Sequence, residues 1–207
     1  MKTLIFDFDG TLADSFELVV DVAYELTGVP RRTLEEVHAL RALPLLAAIH
    51  RLGAPWWHIP RLLLHTRRNM YTRMDEVKLF PGISTLLDTL HQDGYRLLIM
   101  SSNREQNVRA CLRAHNLETY FEGIYQGSVF NKARGLRRIL KRNNLQASSV
   151  YYIGNEALDV YAAHKVGMRS IAVTWSGQNR GLLEASRPDA IVDRPLDVTA
   201  AVTGSTV

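Results

Sequence analysis

The sequence predicts an α/β fold: a doubly wound parallel sheet that carries an all-helical insertion after its first strand. Three observations predict it. Short apolar runs recur along the chain without polar alternation, as parallel strands buried on both faces do. Segments with helical spacing separate these runs, which argues for a sheet covered on both sides. Residues 16–74 break the alternation, with helical spacing and no strand pattern.

The first strand is Leu4-Ile5-Phe6, and it runs into an acidic string. In the insertion, Val19, Ala23 and Leu26, then Leu45, Ile49 and Leu52, keep a helical period, and Pro30, Pro44, Pro55 and Pro60 cut it into short helices. The expected division is an α/β core from residues 1–15 and 79–207, with residues 16–78 as a helical cap. Pro81-Gly82 opens a helix bearing Ile83, Leu86, Leu87 and Leu90 on one face. Leu97-Leu98-Ile99-Met100 is the next strand, and Ser102-Asn103 offers capping chemistry to a helix whose apolar face holds Val108, Cys111, Leu112 and His115. Val150-Tyr151-Tyr152-Ile153 and Ile171-Ala172-Val173 complete the predicted strands. The tail after Ala201 is expected to fray.

At 207 residues the chain can build one core plus a modest insertion. Cys111 is its one cysteine, which excludes an internal disulfide and fits a reducing compartment, and the face it shares predicts a buried, inert thiol. The opening apolar run meets Asp7 too soon for a signal peptide, and no later stretch approaches a membrane span. A cytoplasmic enzyme with no membrane partner is the expectation. Net charge is +4, yet residues 31–74 hold eight arginines against two acids, so the remainder is on the acidic side. These arginines lack the dense runs and interleaved aromatics of a nucleic-acid groove, so none is expected as a partner. The seven histidines show no zinc spacing, and no phosphate-cradling Gly-x-x-x-x-Gly-Lys-Ser/Thr loop is present. Oligomeric state is not legible.

Chemistry concentrates at the end of the first strand, in Asp7-Phe8-Asp9-Gly10-Thr11-Leu12-Ala13-Asp14-Ser15. The carboxyl ends of strands in an open α/β sheet line the ligand crevice. Two acids one residue apart there are costly to keep close without a cation, and Gly10 lets the backbone turn sharply against a ligand.

With that string the chain resembles the haloacid dehalogenase-like phosphatases, in the subfamily with a small helical cap on a Rossmann-like core, near phosphoglycolate phosphatase. Further segments match in order: Ser101-Ser102-Asn103, Phe130-Asn131-Lys132, and Tyr152-Ile153-Gly154-Asn155-Glu156-Ala157-Leu158-Asp159, followed by Ile171-Ala172-Val173-Thr174-Trp175 and Arg187-Pro188-Asp189. The resemblance implies a magnesium-dependent hydrolase of small phosphorylated metabolites. Asp7 would be the nucleophile and Asp9 the acid and base, an acid that true dehalogenases of the superfamily lack. Ser101 and Lys132 would act on the phosphate with Gly10, Ser102 and Asn103, while Asp7, Asp9, Asn155 and Asp159 would hold the metal. Lys132 carries its own signal, because the macrodipole opposes a cation in a first helical turn unless an anion faces it. Arg134, Arg137, Arg138, Lys141 and Arg142 read as that helix's solvated face.

Asn155 departs from the pattern, standing where the family has a metal-ligating aspartate. Its carbonyl oxygen can still meet a hard cation, with one negative charge fewer. Glu156 occurs in family members and does not replace that charge. Weakened catalysis and a non-hydrolysing phosphate-ligand binder both stay open, as does a phosphomutase with the same four groups. In the cap, Arg31, Arg32, Arg41, Arg51, Arg67, Arg68 and Arg73 are candidates for a second anionic group on the substrate, and Trp56-Trp57 are expected to pack the cap.

Overall fold

The computed structural model describes residues 2–27 and 33–204. Six parallel strands form the main sheet: β1 (Thr3–Phe6), β4 (Arg96–Ser101), β5 (Phe121–Gln126), β6 (Val150–Gly154), β7 (Arg169–Val173) and β8 (Ala190–Val192), in the order β5-β4-β1-β6-β7-β8. β1 lies centrally, with Leu4 opposite Leu97 on one side and Tyr151 on the other. Its side chains alternate between faces, so Leu4 and Phe6 join one buried cluster while Ile5 joins the other. The first face is covered by α5 (Ile83–Gln92), α6 (Glu105–Ala114) and α10 (Asp197–Thr203), the second by α7 (Lys132–Arg142) and α8 (Ala157–His164). α9 (Arg180–Ala185) packs Leu183 against β7.

The four predicted strands are present. β5 and β8 were not anticipated: both sit at edges, β5 buries only every third residue of its six, and β8 is three residues long. The expected frayed tail is also corrected. α10 continues through Thr203 and buries Val198 and Val202, while residues 205–207 lie outside the described chain.

The insertion holds α1 (Phe16–Thr27), α2 (Leu34–Ala39), α3 (Leu45–Arg51) and α4 (Ile59–Asn69), with no strand among its described residues up to Met74. Pro44 caps α3, Pro55 precedes a 3₁₀ turn and Pro60 occupies the first turn of α4; Pro30 lies outside the described residues. α2 starts with a capping box between Thr33 and Glu36. The insertion has apolar clusters of its own, yet Leu18, Val22, Met70 and Met74 belong to the main core. A short antiparallel ribbon, β2 (Ala13–Asp14) with β3 (Lys78–Leu79), ties its two ends together. Trp56 and Trp57 depart from the expectation that they pack this unit. They are 53% and 76% exposed, Trp56 stacking on His50 at 4.3 Å, because the 3₁₀ turn that carries them points both outward.

Candidate active site

Asp7 continues β1 by one residue, its N–H donating to the Ile153 carbonyl at 2.8 Å. It is buried, and its carboxylate accepts from the Phe8 N–H at 2.8 Å and from Lys132 Nζ at 2.7 Å. The chain then closes a tight loop in which three successive N–H groups, from Thr11 to Ala13, point to the Phe8 carbonyl. Gly10 has φ +78°, and a Cβ there would sit 2.3 Å from Asn155 Nδ2, so both the turn and the contact require glycine.

Asp9 faces neutral donors. Oδ1 accepts from Ser15 Oγ at 2.6 Å and Asn103 Nδ2 at 3.3 Å, and Oδ2 from Ser101 Oγ at 3.3 Å. Ser101, at the end of β4, also accepts from the Asn103 N–H at 2.9 Å. The capping expectation is modified here. Arg104 is the N-cap of α6 and makes no side-chain cap bond, while Asn103 Oδ1 accepts from the Arg104 N–H and from Asn107 Nδ2.

Lys132 begins α7, N-capped by Asn131, whose side chain accepts from the Arg134 N–H. The anions that offset the helix dipole are protein carboxylates: Nζ reaches Asp7 and, at 2.5 Å, Asp159 Oδ1. Burial alone would pull the lysine's pKa down, but Asp159 and Asp7 hold it well above the ordinary value. Burial pushes the Asp7 carboxyl up to about 7 against the pull of Lys132, with the Asp159 charge adding to the rise.

Asn155 follows β6, accepts weakly from Thr11 Oγ1 at 3.4 Å and donates to Ser176 Oγ at 3.2 Å. Asp159 lies in the first turn of α8 with both oxygens engaged, by Lys132 and by the Glu156 N–H. Gly154 makes room for it, since a Cβ there would fall 2.4 Å from Asp159 Cγ.

A cavity between sheet and insertion is lined by Asp7, Asp9, Gly10, Lys132 and Asn155 together with Ser102 and Asn103. Ser101 and Asp159 stand behind this lining. Sequence reasoning missed three contributors. Ser15 closes the acidic string and was open to recognition as a partner for Asp9; Ser176 carries no local signal. Glu156, weighed in the sequence only as a possible replacement for the lost acid, is the third: its half-buried side chain accepts from the Leu45 N–H at 2.9 Å, joining the start of α8 to the insertion, and burial raises its pKa.

Of the cap arginines, Arg41 and Arg67 line the cavity; Arg73 is paired with Asp21, Glu25 and Glu76, and Arg31 and Arg32 lie outside the described residues. Cys111 is buried and its thiol is pushed up to about 12 by burial, as an inert packing residue requires. His115 is half-buried and its Nε2 meets the Val77 carbonyl at 2.8 Å. Arg138 and Arg142 lie on the exposed face of α7 as expected. No described helix is long and apolar enough to cross a membrane.

Among the described residues no three His, Cys, Asp or Glu side chains form a metal cluster. Asp7, Asp9 and Asn155 line the cavity, and their oxygen-donor chemistry suits a hard cation bound by few carboxylates and completed by phosphate and water.

Comparison with known proteins points to one family. The profile of the haloacid dehalogenase-like hydrolase family matches residues 4–173. A phosphoglycolate phosphatase of Synechococcus elongatus is 35% identical over 98% of this chain and 98% of its own. One from Aliivibrio fischeri is 27% identical over 93% and 92%. A haloacid dehalogenase-like hydrolase structure from Streptococcus pneumoniae superposes with a TM-score of 0.81 at 25% identity, covering 97% of each chain. The chain belongs to the haloacid dehalogenase-like hydrolase family, as a phosphatase-type enzyme that resembles phosphoglycolate phosphatase.

Proposed function

We propose that this chain hydrolyses a small phosphomonoester through Asp7, beneath a cap formed by residues 16–78, in the cytoplasm. The observation that carries the reading is the junction of Asp7 and Lys132, 125 positions apart in sequence yet 2.7 Å apart in space, with Asp9 beside them in one cavity. An Asp7 oxygen attacks phosphorus, the bond to the leaving oxygen breaks, and Asp9 gives that oxygen a proton. Water then attacks phosphorus, Asp9 takes its proton, and the Asp7 carboxylate is restored as inorganic phosphate departs. The Ser15 and Ser101 hydroxyls can donate to ionised Asp9 and rotate to accept from it when protonated. Lys132 holds positive charge against Asp7 and the incoming phosphate, and Asp159 positions that lysine. Magnesium fits at the oxygens of Asp7, Asp9 and Asn155, where its charge would offset the repulsion between carboxylate and phosphate. The named relatives support phosphoglycolate or a similarly short ester as substrate.

One observation favours a second reading, a phosphate-ligand binder that no longer hydrolyses. The Asn155 amide already pairs with two neutral hydroxyls, in place of the charge a tight metal site would supply. Release of p-nitrophenol from p-nitrophenyl phosphate, with magnesium titrated upward, separates the two for the natural chain, Asn155→Asp and Asp7→Asn. Turnover that Asp7→Asn abolishes supports the hydrolase. Near-zero rates in all three, Asn155→Asp included, support the binder.

A further inference from the structure

Two arginines of the insertion reach the cavity in different electrostatic situations. Arg41 is committed to Asp14 at 2.6 Å and Glu17 at 3.2 Å. Arg67, on α4, donates from Nη2 to the neutral Ser102 Oγ at 2.9 Å and makes no ion pair among the described residues. The Arg67 side chain is half-buried, and that burial draws its pKa below the ordinary arginine value against the opposing pull of Asp9 and Asp7. Those two carboxylates are already hydrogen-bonded by Ser15, Ser101, Asn103 and Lys132. A cation brought partly out of water without a carboxylate of its own favours an anion in the space it borders.

Arg67 is also held in place. The fully buried Asn107 donates to the Arg67 carbonyl at 2.7 Å and to Asn103 Oδ1 at 2.9 Å, and Asn103 in turn donates to Asp9. Backbone and side chain of Arg67 are therefore both tied to the start of α6. Lys132 approaches Asp7 directly, whereas Arg67 enters from the insertion at Ser102, the neighbour of the Ser101 that donates to Asp9. Asp9 is the proton carrier for the leaving oxygen in the proposed reaction, so the space before Arg67 is that of the leaving group. Beside it the insertion contributes the apolar Phe16, Leu63 and Met70 and the neutral hydroxyl of Thr66, so apart from the already paired Arg41 it offers an anion no other charge.

We propose that Arg67 is the specificity-determining residue of this site, pairing its guanidinium fork with a carboxylate on the leaving group of a short phosphate ester. The inference rests on the hydrolase reading and adds to it the residue that selects the substrate. A planar fork meeting a carboxylate gives two parallel hydrogen bonds, which a neutral end group cannot match.

The experiment compares kcat/KM for phosphoglycolate and for 2-hydroxyethyl phosphate, an ester of equal length with a neutral end. The natural chain is expected to prefer the carboxylate ester by about 100-fold. Arg67→Met should reduce that preference to within a few-fold, Arg67→Lys should keep an intermediate value, and Arg41→Met should leave the ratio as it is. Overturning results are equal losses on both esters in Arg67→Met, a natural chain without the preference, or a ratio that follows Arg41. If Arg67→Met does not fold, the Arg67→Lys ratio decides. Hydrolysis of neither ester by the natural chain at any magnesium concentration is a separate failure, that of the hydrolase reading itself.

Discussion

Asp7, Lys132 and Asp159 place two acids and one base in the interior, at 5%, 7% and 2% exposure. Full ionisation leaves an excess negative charge there, and removing it with Asp7→Asn should change stability in a pH-dependent way. The Asp7 carboxyl is raised from 3.8 to about 7, chiefly by burial. Between those two values the folded chain holds a proton that the unfolded chain has released, so stability falls as pH rises. The slope is about 1.4 kcal/mol per pH unit. Below the lower value the effect is absent, and above the upper one the full penalty, on the order of 4 kcal/mol, is in force.

Asp7→Asn abolishes this dependence. The amide keeps an oxygen for the Phe8 N–H, and Lys132 keeps Asp159. Loss of the Lys132–Asp7 pair shifts the variant's stability by a nearly constant amount, because the lysine stays charged throughout. The quantity to follow is therefore the change with pH. Relative to the natural chain, Asp7→Asn should gain roughly 2–3 kcal/mol between about pH 5 and about pH 8. Urea unfolding in a chelating buffer measures it, with the midpoint and slope fitted at each pH. A stability difference that stays flat across this range refutes the argument that burial of the Asp7 charge opposes folding.

Three further outcomes are expected. Asn155→Asp should lower the magnesium concentration for half-maximal turnover by about 10–100-fold, and an unchanged value would mean that residue 155 does not touch the cation. Cys111 should resist a thiol reagent such as dithionitrobenzoate in the native chain and react fully in urea, since burial holds its pKa up to about 12; stoichiometric native labelling contradicts this. Asp189 opposes burial with bonds from the Ser170 N–H at 2.8 Å and the Ser170 hydroxyl, and its pKa is lowered. Its stabilising effect is present above the ordinary carboxyl value and lost as pH falls through the folded one. Asp189→Ala should cost about 1 kcal/mol near neutrality, discounted for its partial exposure, and the cost should fade in acid; urea titrations giving an equal cost at every pH count against it.

How much of this was legible depended on whether a residue's neighbours lay nearby in sequence. β1, β4, β6 and β7 were readable because interior parallel strands must be apolar throughout, and that pattern is local. β5 and β8 face the interior less completely, so their composition mixes with that of loops. Asp7 and Asp9 stood out as two acids just past an apolar strand, and Ser101 and Lys132 through the family resemblance, with a strand end and a helix start as supporting positions. What their partners do was hidden. Nothing near Asp159 in sequence announces that it faces Lys132, and nothing near Arg67 separates it from the other arginines of the insertion. Composition marked residues 31–74 as basic, but Asp14, Asp21 and Glu25 lie before that segment, and it is these acids that remove Arg41 and Arg73 from consideration.

Asn155 illustrates the same division between shape and charge. Its carbonyl and amide groups span Thr11 and Ser176, and the loop at Gly10 closes against it so tightly that a methyl group would collide. An aspartate has the same outline, and Ser176, which now accepts from the amide, could rotate to donate to a carboxylate. The packing around residue 155 is thus equally suited to either side chain. Only the electrostatics differ: Lys132 opposes Asp7 and Asp159, and a third nearby acid would tip the site further toward a bound cation. The substitution should therefore act on metal affinity while leaving the architecture of the cavity in place, which makes residue 155 separable from the fold by a single exchange.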